Sequence, residues 1–255
     1  MVGPSDGLTR LYVRDADGKQ LAELQVDGDG PLRGRELRLL PGETHLEVTT
    51  RDTENRIAYT IDVLPASAHA ASQEVEPNDA MQSANRFDPA LPLQGALGAK
   101  RDYDFFRFYV ADLADQRSEL RLDTDYSGQI ELSLLDDTGN LLQRRAGDLR
   151  SLPDLRLPPG EYGLSVRAAE ASDAAYTLAF APTEPYTPGM EAEPNDLASN
   201  ATPIDVETIA RGRGVGRDDD YFVANIDGEP QRWRIVAEGP GVEYIAYHDA
   251  TGQSV

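Results

Sequence analysis

The sequence predicts an all-β chain built from β-sandwich repeats, on three observations. Period-two alternation of apolar residues recurs at short intervals, as in Leu120-Arg-Leu122, Ile130-Glu-Leu-Ser-Leu134 and Tyr162-Gly-Leu-Ser-Val166. Turn residues separate these segments, and no long helical period competes with them. A composite acidic motif also occurs twice: Glu74-Val-Glu-Pro-Asn-Asp79 with Asp102-Tyr-Asp104, and Glu191-Ala-Glu-Pro-Asn-Asp196 with Asp218-Asp-Asp220. Glu191 follows Glu74 by 117 residues and Asp220 follows Asp104 by 116, so two-part clusters recur at matched spacing.

Taken in order, residues 5–65 read as the second half of a repeat. Leu11 to Leu21 is a strand, an Asp-rich turn with Gly18 and a returning strand. It aligns with Leu132 to Leu142, placing Asp15 on Asp136 and Gly18 on Gly139. Leu39-Leu-Pro-Gly42 aligns with Leu157-Pro-Pro-Gly160, His45-Leu-Glu-Val48 alternates as a strand, and Tyr59 to Val63 reads as a last strand. Pro65 to Ser72 is a small-residue connector, flexible or weakly helical.

Residues 74–181 make a complete repeat, and roughly 110 residues suffice to bury a core. Ala80 to Asn85 has room for one short helical turn. Phe105, Phe106, Phe108 and Tyr109 indicate a strand with one deeply buried face and a partly covered second face. Ala181 to Pro188 reads as a stiff, extended Pro-rich linker. Residues 191–255 open a third repeat, with Asp220-Tyr-Phe-Val223, Trp233 to Val236 and Tyr244 to Tyr247, and break off in the turn that holds Gly139 in the middle repeat. The half, whole, half order fits an excerpt from a longer array. It also fits complementation of the two halves, within one chain or by domain-swapped self-association, because half a sandwich leaves an apolar face and open strand edges.

In an extended segment Glu74 and Glu76 project to one side, and Pro77 keeps Glu76 out of the helical region. Asn78 and Asp79 favour a turn that brings their oxygens back. Asp102 and Asp104 share a side if their segment is a strand. Carboxylates gathered this way repel unless a cation neutralises them, and Ca²⁺, with six to eight oxygen ligands and loose geometry, suits them better than Mg²⁺. A chain without Cys and with three scattered His residues disfavours zinc or copper. A solvated acidic turn is the competing reading; the second copy favours the ion.

These motifs resemble a known family, the bacterial pre-peptidase C-terminal domain, related to the collagen-binding domains of clostridial collagenases. The resemblance rests on Glu-x-Glu-Pro-Asn-Asp, Gly95-Ala-Leu-Gly98, Asp102 to Phe108, Leu132 to Gly139, Leu157 to Tyr162 and Tyr176-Thr-Leu178. It implies secreted β-sandwiches of jelly-roll type attached to exported enzymes and surface proteins. It implies calcium ligation by Glu74, Glu76, Asn78, Asp79 and Asp104, and equally by Glu191, Glu193, Asn195, Asp196 and Asp220. Asp102 and Asp218 join the two sets on geometry. Collagen-binding relatives carry aromatic residues where this chain has Arg167 and Ala169, so collagen binding is not expected.

A formal net charge of −21, from 45 acidic against 24 basic residues, repels nucleic acid and anionic membranes, and no run is long enough to span a bilayer. The first residues lack the basic start and apolar stretch of a signal peptide, so export would use a signal outside this chain. No Gly-x-Ser-x-Gly or His-Glu-x-x-His occurs, and Gly212 to Gly216 lacks the setting of a nucleotide loop; it reads, like Gly95 to Gly98, as a turn before the acidic strand. Tyr12, Tyr126 and Trp233 read as packing residues. The expectation is a non-catalytic, calcium-binding array of a secreted or cell-surface protein, acting as spacer, stabilising or adhesion unit. The alternative is a module of an extracellular hydrolase that binds a carbohydrate or matrix protein.

Overall fold

The computed structural model describes residues 8–25, 37–39, 41–50, 60–65, 72–98, 102–111, 116–170, 172, 174–214, 219–229, 231–240 and 242–249. Among them are fourteen strands and one three-residue 3-10 turn, Ala198–Asn200, so the fold is all-β. The first three strands are β1 (Leu8–Arg14), β2 (Gln20–Gln25) and β3 (His45–Thr50). Next come β4 (Asn85–Arg86), β5 (Leu93–Ala96), β6 (Asp104–Val110), β7 (Gln116–Thr124), β8 (Ile130–Leu135), β9 (Leu141–Gly147), β10 (Ser151–Leu155), β11 (Gly160–Ala168) and β12 (Ala175–Pro185). The last two are β13 (Thr202–Ile204) and β14 (Phe222–Ala224).

Strands β4 to β12 form a sandwich. One sheet has the order β10-β7-β12-β5 and the other β4-β6-β11-β8-β9. From β5 onward successive strands alternate between the sheets, except at the β8–β9 hairpin. The core lies between them: Phe106, Phe108, Leu132, Leu134 and Leu164 from one sheet meet Leu93, Leu120, Leu152, Tyr176 and Leu178 from the other. Alternation in β6 explains its placement, since Asp104, Phe106, Phe108 and Val110 are buried, Phe105 and Arg107 half-buried and Tyr109 exposed. Removing each core phenylalanine from water stabilises the sandwich by roughly 2–3 kcal/mol.

The β8–β9 hairpin turns on Asp136. Its Oδ1 accepts the N–H groups of Thr138 at 2.9 Å and Asn140 at 2.8 Å, while Gly139 takes a φ of 91°. The Thr138 hydroxyl and the Asn140 amide, then the two backbone donors, hold the Asp136 carboxyl down at about 2. The β1–β2 turn repeats the device: Asp15 Oδ1 accepts from Asp17 and Lys19, and Gly18 has a φ of 79°. Pairing registers agree as well. Val13 faces Leu46 and Leu11 faces Val48, as Leu134 faces Leu164 and Leu132 faces Val166.

Several expectations shift. Ala80 to Asn85 forms a hydrogen-bonded turn, Ser83 N–H to the Ala80 carbonyl at 2.9 Å, and no helix; Asn85 already belongs to β4. Residues Ala181 to Pro185 continue β12 because β7 still offers partners there, Pro182 opposite Ser118 and Pro185 opposite Gln116. Gly95 lies within β5 opposite Tyr176, not in a turn. Residues 60–63 carry no strand pairing, and Val63 is 71 % exposed; Tyr59 and most of the Pro65 to Ser72 connector lie outside the described residues. Trp233 to Val236 and Tyr244 to Tyr247 are exposed and form no strand, so Trp233 is not a packing residue here.

Candidate metal centre

The first acidic motif runs alongside the sandwich edge. The Glu74 N–H donates to the Gln94 carbonyl at 2.7 Å and fixes the segment beside β5. Asn85 clamps the next residue in both directions, accepting from the Val75 N–H at 2.6 Å and donating to its carbonyl at 2.9 Å. The Glu76–Pro77 peptide is cis, and Phe105 N–H donates to the Asn78 carbonyl at 3.0 Å. The opening segment and the start of β6 are thereby brought together.

Carboxylate oxygens converge at this point. Glu74, Glu76 and Asp104 place one oxygen each within 4.8 Å of one another, and Glu76, Asp79 and Asp102 do the same. Glu76 and Asp104 are buried, Glu74 and Asp102 half-buried and Asp79 exposed. Backbone donors aim two of the carboxylates: Ala96 N–H donates to Glu74 Oε2 at 2.7 Å and Asn78 N–H to Glu76 Oε2 at 3.0 Å. The Asn78 side-chain amide donates to Glu74 Oε1 at 3.0 Å. Tyr176 on β12 donates its hydroxyl to Asp104 Oδ2 at 2.7 Å. Burial raises the Asp104 carboxyl well above the usual range; the neighbouring Glu74 and Asp102 add to this and the Tyr176 hydrogen bond opposes it.

The residues fit a hard cation on a second observation. Asn78 is fully buried, yet its Oδ1 has no hydrogen-bond partner, and neither has Asp104 Oδ1. An amide whose NH₂ is already engaged with Glu74 leaves only an acceptor to satisfy, and buried acceptors are seldom left unmet. A cation bound by oxygens would meet both atoms and reverse the penalty on the ionised carboxylates.

The second motif repeats this wiring. Arg213 N–H donates to Glu191 Oε2 at 2.6 Å, Asn195 N–H to Glu193 Oε2 at 2.8 Å and Asn195 Nδ2 to Glu191 Oε1 at 3.4 Å. Tyr221 N–H donates to the Asn195 carbonyl at 3.0 Å, and the Thr202 hydroxyl takes the place of the Asn85 amide by bonding both polar groups of Ala192. Glu193–Pro194 is again cis. Glu191, Glu193 and Asp220 bring oxygens within 4.8 Å of one another, and fully buried Asn195 keeps an Oδ1 without a partner. Burial, then the Asp220 carboxyl, pushes Glu191 up to about 7. Asp196 is half-buried and falls outside this triad, and Asp218 lies outside the described residues.

Sequence reasoning missed Tyr176 as the lid over Asp104 and Gly95 as the space that admits it: a Cβ on Gly95 would collide with the Tyr176 ring. It also missed Arg117, Arg145 and Asp154, which belong to the middle sandwich yet face the second motif. Only the fold brings β12 across the start of β6, so spacing carried no signal for these contacts.

The chain matches no family model and no curated protein. Among solved structures it is similar to the pre-peptidase C-terminal domain of a collagenase from Bacillus anthracis. That similarity has 20% identity, covers 38% of this chain and 94% of that one, and has a TM-score of 0.33.

Proposed function

We propose that the chain is a non-catalytic array of calcium-binding β-sandwich units of a secreted or cell-surface protein, in which each ion pins the opening segment of a repeat to its sandwich. The observation that carries this reading is the pair of buried asparagine carbonyl oxygens, Asn78 Oδ1 and Asn195 Oδ1. Each lacks a partner and each lies within a motif whose carboxylates already converge. The first ion would be held by Glu74, Glu76, Asn78 and Asp104 with Asp79 and Asp102 near, the second by Glu191, Glu193, Asn195 and Asp220. The ion supplies positive charge and coordination that hydrogen bonds alone do not. The residues themselves orient one another through Ala96 N–H, Arg213 N–H and the two asparagine amides.

Such an ion acts by mass action on folding: at a hundredfold excess over its dissociation constant it adds about 2.7 kcal/mol. Titration calorimetry with Ca²⁺ on the chelator-treated chain is expected to show two sites, and Glu74→Gln with Asp104→Asn is expected to remove one. The melting temperature rises with calcium and falls with chelator. No binding heat together with an unmoved melting temperature would exclude the reading. In the strands of the middle sandwich Tyr109 is the exposed aromatic residue, with no row beside it, which gives a sugar platform little support. A glycan and matrix-protein array that returned a ligand competed away by Tyr109→Ala would favour the ligand-binding alternative instead.

A further inference from the structure

We propose that the end of the middle sandwich remote from the first acidic cluster is a receptor for the opening segment of the repeat that follows, so that consecutive repeats are locked together. The chemical partner is an extended Glu-x-Glu-Pro segment. This inference does not depend on a bound cation.

Three sets of contacts converge. The first is backbone: β10 reaches the next repeat in a parallel bridge between Leu155 and Glu193, where Arg156 N–H donates to the Glu193 carbonyl at 2.7 Å and Glu193 N–H to the Asp154 carbonyl at 3.0 Å. Asp154 takes a φ of 54°, a conformation that non-glycine residues hold only where their surroundings fix it. The second set is charge. Arg145 on β9 meets Glu193 at 3.4 Å, and Asp154 meets both Arg117 of β7 and Arg213 of the third repeat at 3.1 Å. Arg117, Arg145, Asp154 and Glu193 are each at most 5 % exposed. The third set pins the connection: Arg117 donates to the Glu184 and Glu191 carbonyls, and the Arg156 guanidinium lies 3.9 Å over the Tyr186 ring.

A buried guanidinium is stable only against a partner. The middle sandwich buries Arg145 at a place where the described counter-charge is supplied by the following repeat. Arg117 pairs with Asp154 of its own sandwich and reaches across to the Glu191 carbonyl, so both buried guanidiniums contact the following repeat. The backbone half of the joint recurs upstream, where Leu37 bridges Glu76 in parallel and Arg38 N–H donates to the Glu76 carbonyl at 2.7 Å. Leu37-Arg38 precedes Pro41-Gly42 as Leu155-Arg156 precedes Pro159-Gly160, so one mode of docking serves both boundaries.

The chain has no cysteine, so Asp137→Cys and Ser199→Cys, both exposed, place spin labels on either side of the joint cleanly. Pulsed dipolar spectroscopy on the full chain is expected to give one narrow distance. Arg117→Met with Arg145→Met is expected to lose it to a broad distribution while far-UV circular dichroism still reports the sandwich. If that pair does not fold, Glu193→Gln keeps the shape, removes the charge and is expected to broaden the distance likewise. A narrow distance in the substituted chains overturns the joint, as does a broad one in the parent. Chelator applied to the parent is expected to leave the distance narrow, and broadening there also overturns it. Calorimetry with Ca²⁺ on the same samples reads the cation sites separately.

Discussion

Asp104 and Asp220 stand at the same point in two copies of one motif, under different cover. Both follow an opening segment in which an asparagine amide, its own N–H and a distant backbone N–H hold two glutamates in place. In the middle repeat Asp104 is 2 % exposed beneath Tyr176, and Phe106 two residues on is fully buried. In the third repeat Asp220 is exposed and Phe222 is 38 % exposed, because no second sheet covers β14 among the described residues. The wiring of the site is therefore local to the segment and its neighbouring strand. Its electrostatics are not: burial leads the rise at both Asp104 and Glu191, but only Asp104 has a strand from the opposite sheet laid over it.

The glycines in front of the two clusters break this comparison most sharply. A Cβ on Gly95 would meet the Tyr176 ring, wedged between the sheets, whereas on Gly212 it would meet Glu191, its Oε2 at 2.5 Å and its Cβ at 3.3 Å, a carboxylate held by the Arg213 N–H and the Asn195 amide. Gly95→Ala is expected to destabilise by about 1–3 kcal/mol, the usual range for overpacking a filled core. Gly212→Ala is expected to cost less stability than Gly95→Ala, because it strikes no core ring, and to displace Glu191 and weaken calcium binding at the second site. Urea denaturation of both variants beside calorimetry checks this. Equal destabilisation by the two would mean that the cover over the first cluster is not what separates them.

How much of this was legible in the residues follows the same division. The recurrence of Glu-x-Glu-Pro-Asn-Asp at constant spacing pointed to both clusters, and the Asp136 turn could be matched to Asp15 before any strand was placed. Alternation located β7, β8 and β11 because one face of each packs against the opposite sheet. Contacts that cross between sheets were hidden. Tyr176 lies 72 residues from Asp104 in the chain, and no spacing links the two. Arg145 and Asp154 carried no mark in the sequence of their burial against the next repeat. Pro182 and Pro185 read as a linker, since proline ordinarily marks strand ends, but β12 keeps pairing with β7 past them.

Tyr176→Phe sharpens the comparison at a single atom. It keeps the ring in the core and removes the donor to Asp104 Oδ2. The expected loss is about 1 kcal/mol, that of one hydrogen bond, with a fall in calcium affinity at the first site and none at the second. An unchanged first-site affinity would show that Tyr176 fills space without orienting the carboxylate.

The smallest effect is a pH dependence set by Glu191. Its carboxyl sits at about 7 in the folded chain against an ordinary 4.5, raised first by burial and then by Asp220, with the Arg213 N–H pulling the other way. Between those values the folded state holds a proton that the unfolded state has released, so the cation-free chain loses stability as pH rises through the window and keeps the whole contribution below it. Asp104 acts in the same direction. A cation competes with these protons, so calcium binds more tightly as pH rises and offsets the decline. The cation-free melting temperature is expected to fall from pH 5 to pH 7.5, to flatten when calcium is added, and to fall less steeply in Glu191→Gln. A Glu191→Gln profile superimposable on the parent's would mean that this carboxyl ionises as freely as one in water, and that the second cluster needs no neutralising charge.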